Sequence, residues 1–186
     1  MTGPVEAGRP ATHRLFFASW PGDERRTKLD AMLRKVAWAS GGRRVPAANY
    51  HLTLAFLGAV PAARLPAIRT MAATLRAAAF DLRLDRLEYL RKSRVLCLTA
   101  SSVPDAAQSL VGTLWQKLAT LGFKPDVRPF MAHLTLVRKV ERPPTNQTVE
   151  PLDWRVDALS LVESVTAPAG PVYTPLATWP LTSSST

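Results

Sequence analysis

Tyr50-His51-Leu52-Thr53-Leu54-Ala55-Phe56 is answered 82 residues later by Ala132-His133-Leu134-Thr135-Leu136-Val137-Arg138. The four residues His-Leu-Thr-Leu thus occur twice in a chain of 186 residues that holds three histidines. Apolar and polar residues alternate across each copy, which predicts a strand. Side chains on a strand point to opposite faces in turn, so His51 and Thr53 share one face and Leu52, Leu54 and Phe56 the other. His133 and Thr135 stand in the same way opposite Leu134 and Leu136. Each copy therefore buries its leucines and presents an imidazole and a hydroxyl.

The flanking sequence repeats as well. Arg14-Leu15-Phe16-Phe17-Ala18-Ser19-Trp20 reads as a buried strand closed by Pro21-Gly22. Asp23 then caps a helix whose inward stripe is Leu29, Met32, Leu33, Val36 and Ala37, ended by Gly41-Gly42. In the second half, Ser93 to Ala100 reads as a strand. Pro104 opens a helix with the stripe Ala107, Leu110, Val111, Leu114, Leu118 and Leu121, and Gly122 stops it. Strand, helix and motif strand recur in the same order around Phe16 and around Leu96, which is an internal duplication.

Other segments complete the outline. A further helix is expected near Pro61, with Leu65, Ile68, Met71 or Ala72, and Leu75 inward. Asp81 to Leu90 pairs with Ser93 to Ala100 through an Arg91-Lys92-Ser93 turn, a hairpin rather than a crossover. Trp154 to Val162 is expected as one strand, and Val172 to Trp179 as the closing one. The combination predicts a mixed α/β or α+β fold with antiparallel sheets. If the halves pack about a pseudo-twofold axis, the two His/Thr pairs face one another across a cleft.

The chain carries 24 Lys and Arg against 14 Asp and Glu, a net charge of +10, and 18 of those cations are arginine. This balance favours polyanionic partners, and arginine forks match phosphate oxygens in pairs. The apolar fraction of 47% suits a globular domain rather than a disordered chain. No apolar run approaches the roughly 20 residues of a membrane span. Residues 1–12, polar and rich in Gly and Pro, are expected to form a disordered tail rather than a signal peptide. Residues 13–181 are expected as one domain and 182–186 as a frayed end. Cys97, in Val95-Leu96-Cys97-Leu98, reads as a buried and inert thiol with no disulfide partner. A cytoplasmic monomer is the expectation.

Two imidazoles of unperturbed pKa about 6.5 work as acid and base near neutral pH. Hydroxyls of Thr53 and Thr135 donate to phosphate oxygens. That set suits in-line displacement at phosphorus without a metal. No Asp, Glu or Cys joins either motif, and two imidazoles with hydroxyls make a poor divalent site. Secondary candidates are Arg43 and Arg44, which lead into the first motif and offer an RNA backbone track. Tyr173 and Trp38 are base-stacking or core residues, Tyr50 reads as packing, and His13 is expected to be exposed at the edge of the tail.

The paired motifs resemble those of the 2H phosphoesterase superfamily. The surrounding sequence is similar to bacterial and archaeal RNA 2′,3′-cyclic phosphodiesterases, historically called 2′-5′ RNA ligases. Arg14 to Ala18 resembles that family's first strand, His51 to Gly58 its first motif and Phe130 to Arg138 its second. Gly170-Pro171-Val172-Tyr173 and Trp179-Pro180-Leu181 resemble its closing strand. The resemblance implies an α+β, bilobal, pseudo-twofold fold of two antiparallel sheets lining a central cleft, with helices outside. It implies hydrolysis of a terminal 2′,3′-cyclic phosphate of RNA to a 2′-phosphomonoester, with no cofactor, ATP or metal. His51 would be the proton donor and His133 the proton acceptor, labels that a nearly symmetric site can exchange. Thr53, Thr135 and Arg138 would hold the phosphate, and Phe56 would line the nucleotide site. Simple alternation puts Arg138 opposite His133, so its place in the cleft is carried by the resemblance. A small cyclic nucleotide or a 2′-5′ linkage as substrate, and a non-catalytic RNA-binding module, are the alternatives.

Overall fold

The computed structural model describes residues 11–125, 129–168 and 170–182, with the side chains of 32–38 outside the description. In chain order the elements are β1 (Thr12–Ser19), α1 (Asp23–Ser40), β2 (Arg43–Arg44), β3 (Leu52–Pro61) and α2 (Leu65–Ala73). Then follow β4 (Phe80–Leu90), β5 (Val95–Thr99), α3 (Asp105–Thr120), β6 (His133–Arg138), β7 (Gln147–Val156), β8 (Ala158–Ala167) and β9 (Gly170–Pro180). Short 3-10 turns at Ala47–Asn49 and Ala62–Arg64 lead into β3 and α2.

The strands follow the order β7-β4-β5-β6-β3-β1-β8-β9, with β2 laid on β6. Read outward from the β6–β3 junction, this is two four-stranded lobes, β6-β5-β4-β7 and β3-β1-β8-β9. The lobes are joined where Leu52 pairs with Leu134, both fully buried. The second residues of the two repeats thus meet at the pseudo-twofold axis. The units β1-α1-β3 and β5-α3-β6 are the duplicated halves, and antiparallel pairing holds throughout the named strands.

The helices cover one face. Ala107, Leu110, Val111, Leu114 and Leu118 of α3, Ile68 and Ala72 of α2, and Leu29 of α1 join Leu52, Leu54, Leu134 and Leu136 in one core. Met32, Leu33, Val36 and Ala37, also expected on the α1 stripe, lie outside the described side chains. Pro104 stands as the capping residue of α3 rather than its first helical one, with an extended ψ of 144°. Gly41, at φ +64°, takes the left-handed turn that ends α1.

Three expectations are corrected. The strand read over Trp154 to Val162 is broken at Asp157 into β7 and β8, which belong to different lobes. Its signal was a parity change: Trp154 and Val156 are buried on even positions, Leu159 and Leu161 on odd ones. Thr12 begins β1 instead of closing a tail, and Thr182 bridges to Ala78. Residues 1–10 and 183–186 lie outside the described residues. His13 sits in β1, half-buried, with Nδ1 2.5 Å from the Glu163 carboxylate on neighbouring β8.

Candidate active site

Two matching irregularities decide what faces the cleft. Along β3, Ala55 pairs with Phe17 but Thr53 pairs with Ala18, so Leu54 is an extra residue. Along β6, Val137 pairs with Leu96 but Thr135 pairs with Cys97, so Leu136 is extra. Each is a β-bulge, which shifts the side-chain alternation of the residues just beyond it. The extra leucines stay in the core, 3% and 0% exposed. Beyond them Ala55 and Val137 turn inward, while Phe56 and Arg138 turn to the histidine side.

Arg138 therefore joins His133 and Thr135 on one face, where unbroken alternation had it on the other. Phe56 is corrected in the same way: it leaves the face of Leu52 and Leu54 and stands 48% exposed. Arg14 lies 4.7 Å over its ring. The pair Phe56 and Arg138 occupy equivalent places in the two halves, as do Thr53 and Thr135.

The imidazoles are anchored alike. His51 Nδ1 donates to the Asn49 carbonyl at 2.7 Å, and His133 Nδ1 to the Met131 carbonyl at 2.9 Å. A carbonyl oxygen only accepts, so each Nδ1 carries the hydrogen and each Nε2 is left for a ligand. Asn49 is itself held, its side-chain amide donating to the Pro171 carbonyl at 2.9 Å. This ties the loop before β3 to the start of β9.

The surroundings break the symmetry. The His51 ring stands 5.6 Å from Trp20 in a stacked arrangement, 5.2 Å from Phe16, and 5.1 Å from Tyr173 edge-on. The equivalent strand β5 offers Val95 and Thr99, with Thr99 paired to His133. Burial among the rings pushes the His51 pKa down from 6.5 to about 4. The Asn49 hydrogen bond opposes that, and the charges of His133 and Arg138 reinforce it. At neutral pH the free His51 is an uncharged base.

Cys97 lies under Thr135, fully buried, its Sγ 3.9 Å from the threonine hydroxyl. Burial pushes its thiol up to about 12, so it is inert as expected. Tyr50 is fully buried, as its parity implied. Arg44 is not on the cleft: it pairs with buried-side Val137 and forms an ion pair with Asp30 of α1, on the helix face. Tyr173 is part of the site; the Trp38 side chain lies outside the described residues. The residues that sequence reading missed are Phe16 and Trp20. Their signal was present, since Phe16 and Ala18 on β1 and Trp20 just past its end fall on alternate positions.

A duplicated antiparallel fold whose junction carries two anchored imidazoles, two threonines and an arginine defines a two-histidine, phosphate-directed site. The chain belongs to the 2'-5' RNA ligase superfamily, whose sequence profile matches residues 13–167. It is 34% identical over 181 residues to the RNA 2',3'-cyclic phosphodiesterase of Escherichia coli K12, covering 91% of this chain and 97% of that one. It is 28% identical over 170 residues to the protein of the same name from Archaeoglobus fulgidus, covering 86% of this chain and 96% of that one. The crystal structure of E. coli LigT complexed with 3'-AMP superposes with a TM-score of 0.83 at 34% identity, covering 92% of this chain and 99% of that chain.

Proposed function

We propose that this protein hydrolyses the 2′,3′-cyclic phosphate at an RNA end to a 2′-phosphomonoester, with neither metal nor ATP. The observation that carries the reading is the pair of Nδ1-anchored imidazoles, each followed by a threonine on the same face. The family relationship and the names of the E. coli and A. fulgidus relatives support the substrate.

His133 Nε2 takes a proton from water, whose oxygen forms the new bond to phosphorus. The bond from phosphorus to O3′ breaks in line, and His51 Nε2 gives its proton to that oxygen. The products are a 3′-hydroxyl and a 2′-phosphate, and the two imidazoles have exchanged one proton. Thr53 and Thr135 donate to the non-bridging oxygens, and Arg138 neutralises charge as it grows on them. Phe56 offers a face to the nucleoside.

As donor, His51 must be charged, and the free imidazole is not at neutral pH. The phosphate anion reverses this: an opposite charge beside the ring favours the protonated form. Substrate thus loads its own acid. Reversal of the reaction exchanges the two roles. Residues 12–182 form the catalytic domain, which acts as a monomer in the cytoplasm. Among the described residues, no helix is long and apolar enough to cross a membrane.

The test is turnover of a short RNA with a 2′,3′-cyclic end by His51→Ala and His133→Ala proteins. Each substitution should lower kcat by about 10²–10⁴ while the product still binds. A rate near wild type in either variant refutes the acid–base pair. Substitutions that change affinity alone would make the site a phosphate clamp.

A further inference from the structure

β2 is two residues long, yet its placement is closely specified. Gly42, just before it, has no room for a side chain: a Cβ would stand 2.6 Å from Val137 Cγ1 and 2.8 Å from the Arg138 carbonyl. That close approach sets Arg43 opposite Arg138 and Arg44 opposite Val137. Residues directly opposite in an antiparallel pair point to the same face. Arg44 goes to the helix side, where Asp30 meets it. Arg43 goes to the cleft side with Arg138.

The far end of Arg43 extends toward the other lobe, to the turn between β8 and β9. A Cβ on Gly170 would lie 2.8 Å from the Arg43 Nη2, so the absence of a side chain there makes room for the guanidinium. Pro171, the next residue, is held by Asn49, whose carbonyl anchors His51. Tyr173, three residues from Gly170, touches the His51 ring. The guanidinium therefore stands at the rim of the histidine cleft, bridging its two walls. Arg138 contributes to the field at His51, and Arg43 reaches instead to the start of β9 at Gly170.

We propose that Arg43 holds the phosphodiester one nucleotide upstream of the reacting end, making the enzyme selective for oligonucleotide ends over mononucleotides. The inference rests on the RNA-end reading for the direction in which the chain leaves the cleft. An arginine fork matches two phosphate oxygens, and hydrogen bonds between charged groups are stronger than neutral ones. Arg43 positions the substrate and does not touch the reacting atoms.

The experiment measures calorimetric binding of two probes, 3′-AMP and the dinucleotide ApA bearing a 3′-phosphate, across a salt series. The wild-type protein should bind the dinucleotide more tightly, with a log–log salt slope steeper by about 0.7 for the extra phosphate. Arg43→Gln should shrink the ratio of the two affinities by roughly tenfold or more and remove the extra slope. Arg43→Lys keeps the charge but not the fork and should recover the extra salt slope and part of the ratio, which a merely structural clasp on the β8–β9 turn would not. An unchanged ratio in Arg43→Gln, whether both probes weaken or neither does, overturns the inference. Selective binding by a protein that fails to turn over cyclic RNA ends would sink the catalytic reading and leave this subsite standing.

Discussion

Replacing Trp20 with alanine should raise the pKa of His51 by up to about half a pH unit. The imidazole has been pushed from 6.5 to about 4, and the gap of about 2.5 units corresponds to about 3.4 kcal/mol. Three rings, those of Phe16, Trp20 and Tyr173, enclose it at centroid distances of 5.2, 5.6 and 5.1 Å. An equal share for each assigns Trp20 roughly 0.8 unit, or about 1 kcal/mol. A ring face attracts an imidazolium by about 0.5–1 kcal/mol at a partly exposed site, and its loss would lower the pKa. Desolvation wins because the combined effect of the enclosure is downward, so removal of one wall moves the pKa up by the smaller net amount. The assay is a proton–carbon NMR titration of the Cε1–H signals. With three histidines in the chain, the His51 signal is assigned by its loss in His51→Ala. A midpoint that stays near 4 or falls would refute the desolvation argument.

The same displaced pKa makes acid stability a second expectation. Above pH 6.5 His51 is neutral in both folded and unfolded chains, and between 6.5 and about 4 only the unfolded chain gains the proton. Stability therefore falls as pH drops through that window, by at most about 3 kcal/mol from this residue, and urea midpoints at pH 7 and 4.5 should differ less in His51→Asn. Cys97, with its thiol pushed up to about 12 and no exposed surface, should resist a thiol-specific disulfide reagent at pH 8 until urea unfolds the protein. Fast labelling of the native protein would contradict its burial. Gly42→Ala should cost about 1–3 kcal/mol by overpacking against Val137 and the Arg138 carbonyl. A melting temperature equal to wild type would show that β2 yields without cost.

The duplication was legible because it is written twice in nearly the same letters, and helix periodicity placed all three helices within a few residues. His51, Thr53, His133 and Thr135 followed from parity alone, since each His-x-Thr lies before its bulge. Arg138 and Phe56 lie after theirs. No local residue type marks Leu54 or Leu136 as extra, so parity failed for both, and only the family resemblance placed them on the cleft side. The break at Asp157 was hidden for a related reason: alternation continues on both sides of it, one register out of step. The enclosure of His51 was missed because its rings, Phe16 and Trp20 at β1 and Tyr173 on β9, are distant in sequence from the motif and joined to it only by sheet order. Arg43 and Arg44, adjacent and alike in sequence, separate to opposite faces once β2 is laid on β6.

The most direct test incubates the wild-type protein with a short RNA ending in a 2′,3′-cyclic phosphate, in excess EDTA and without ATP, and resolves the product ends. Conversion to a 2′-phosphate alone is the expected result, because His51 protonates O3′ and leaves the bond to O2′ intact. A 3′-phosphate product, or turnover abolished by the chelator, would contradict the two-histidine account.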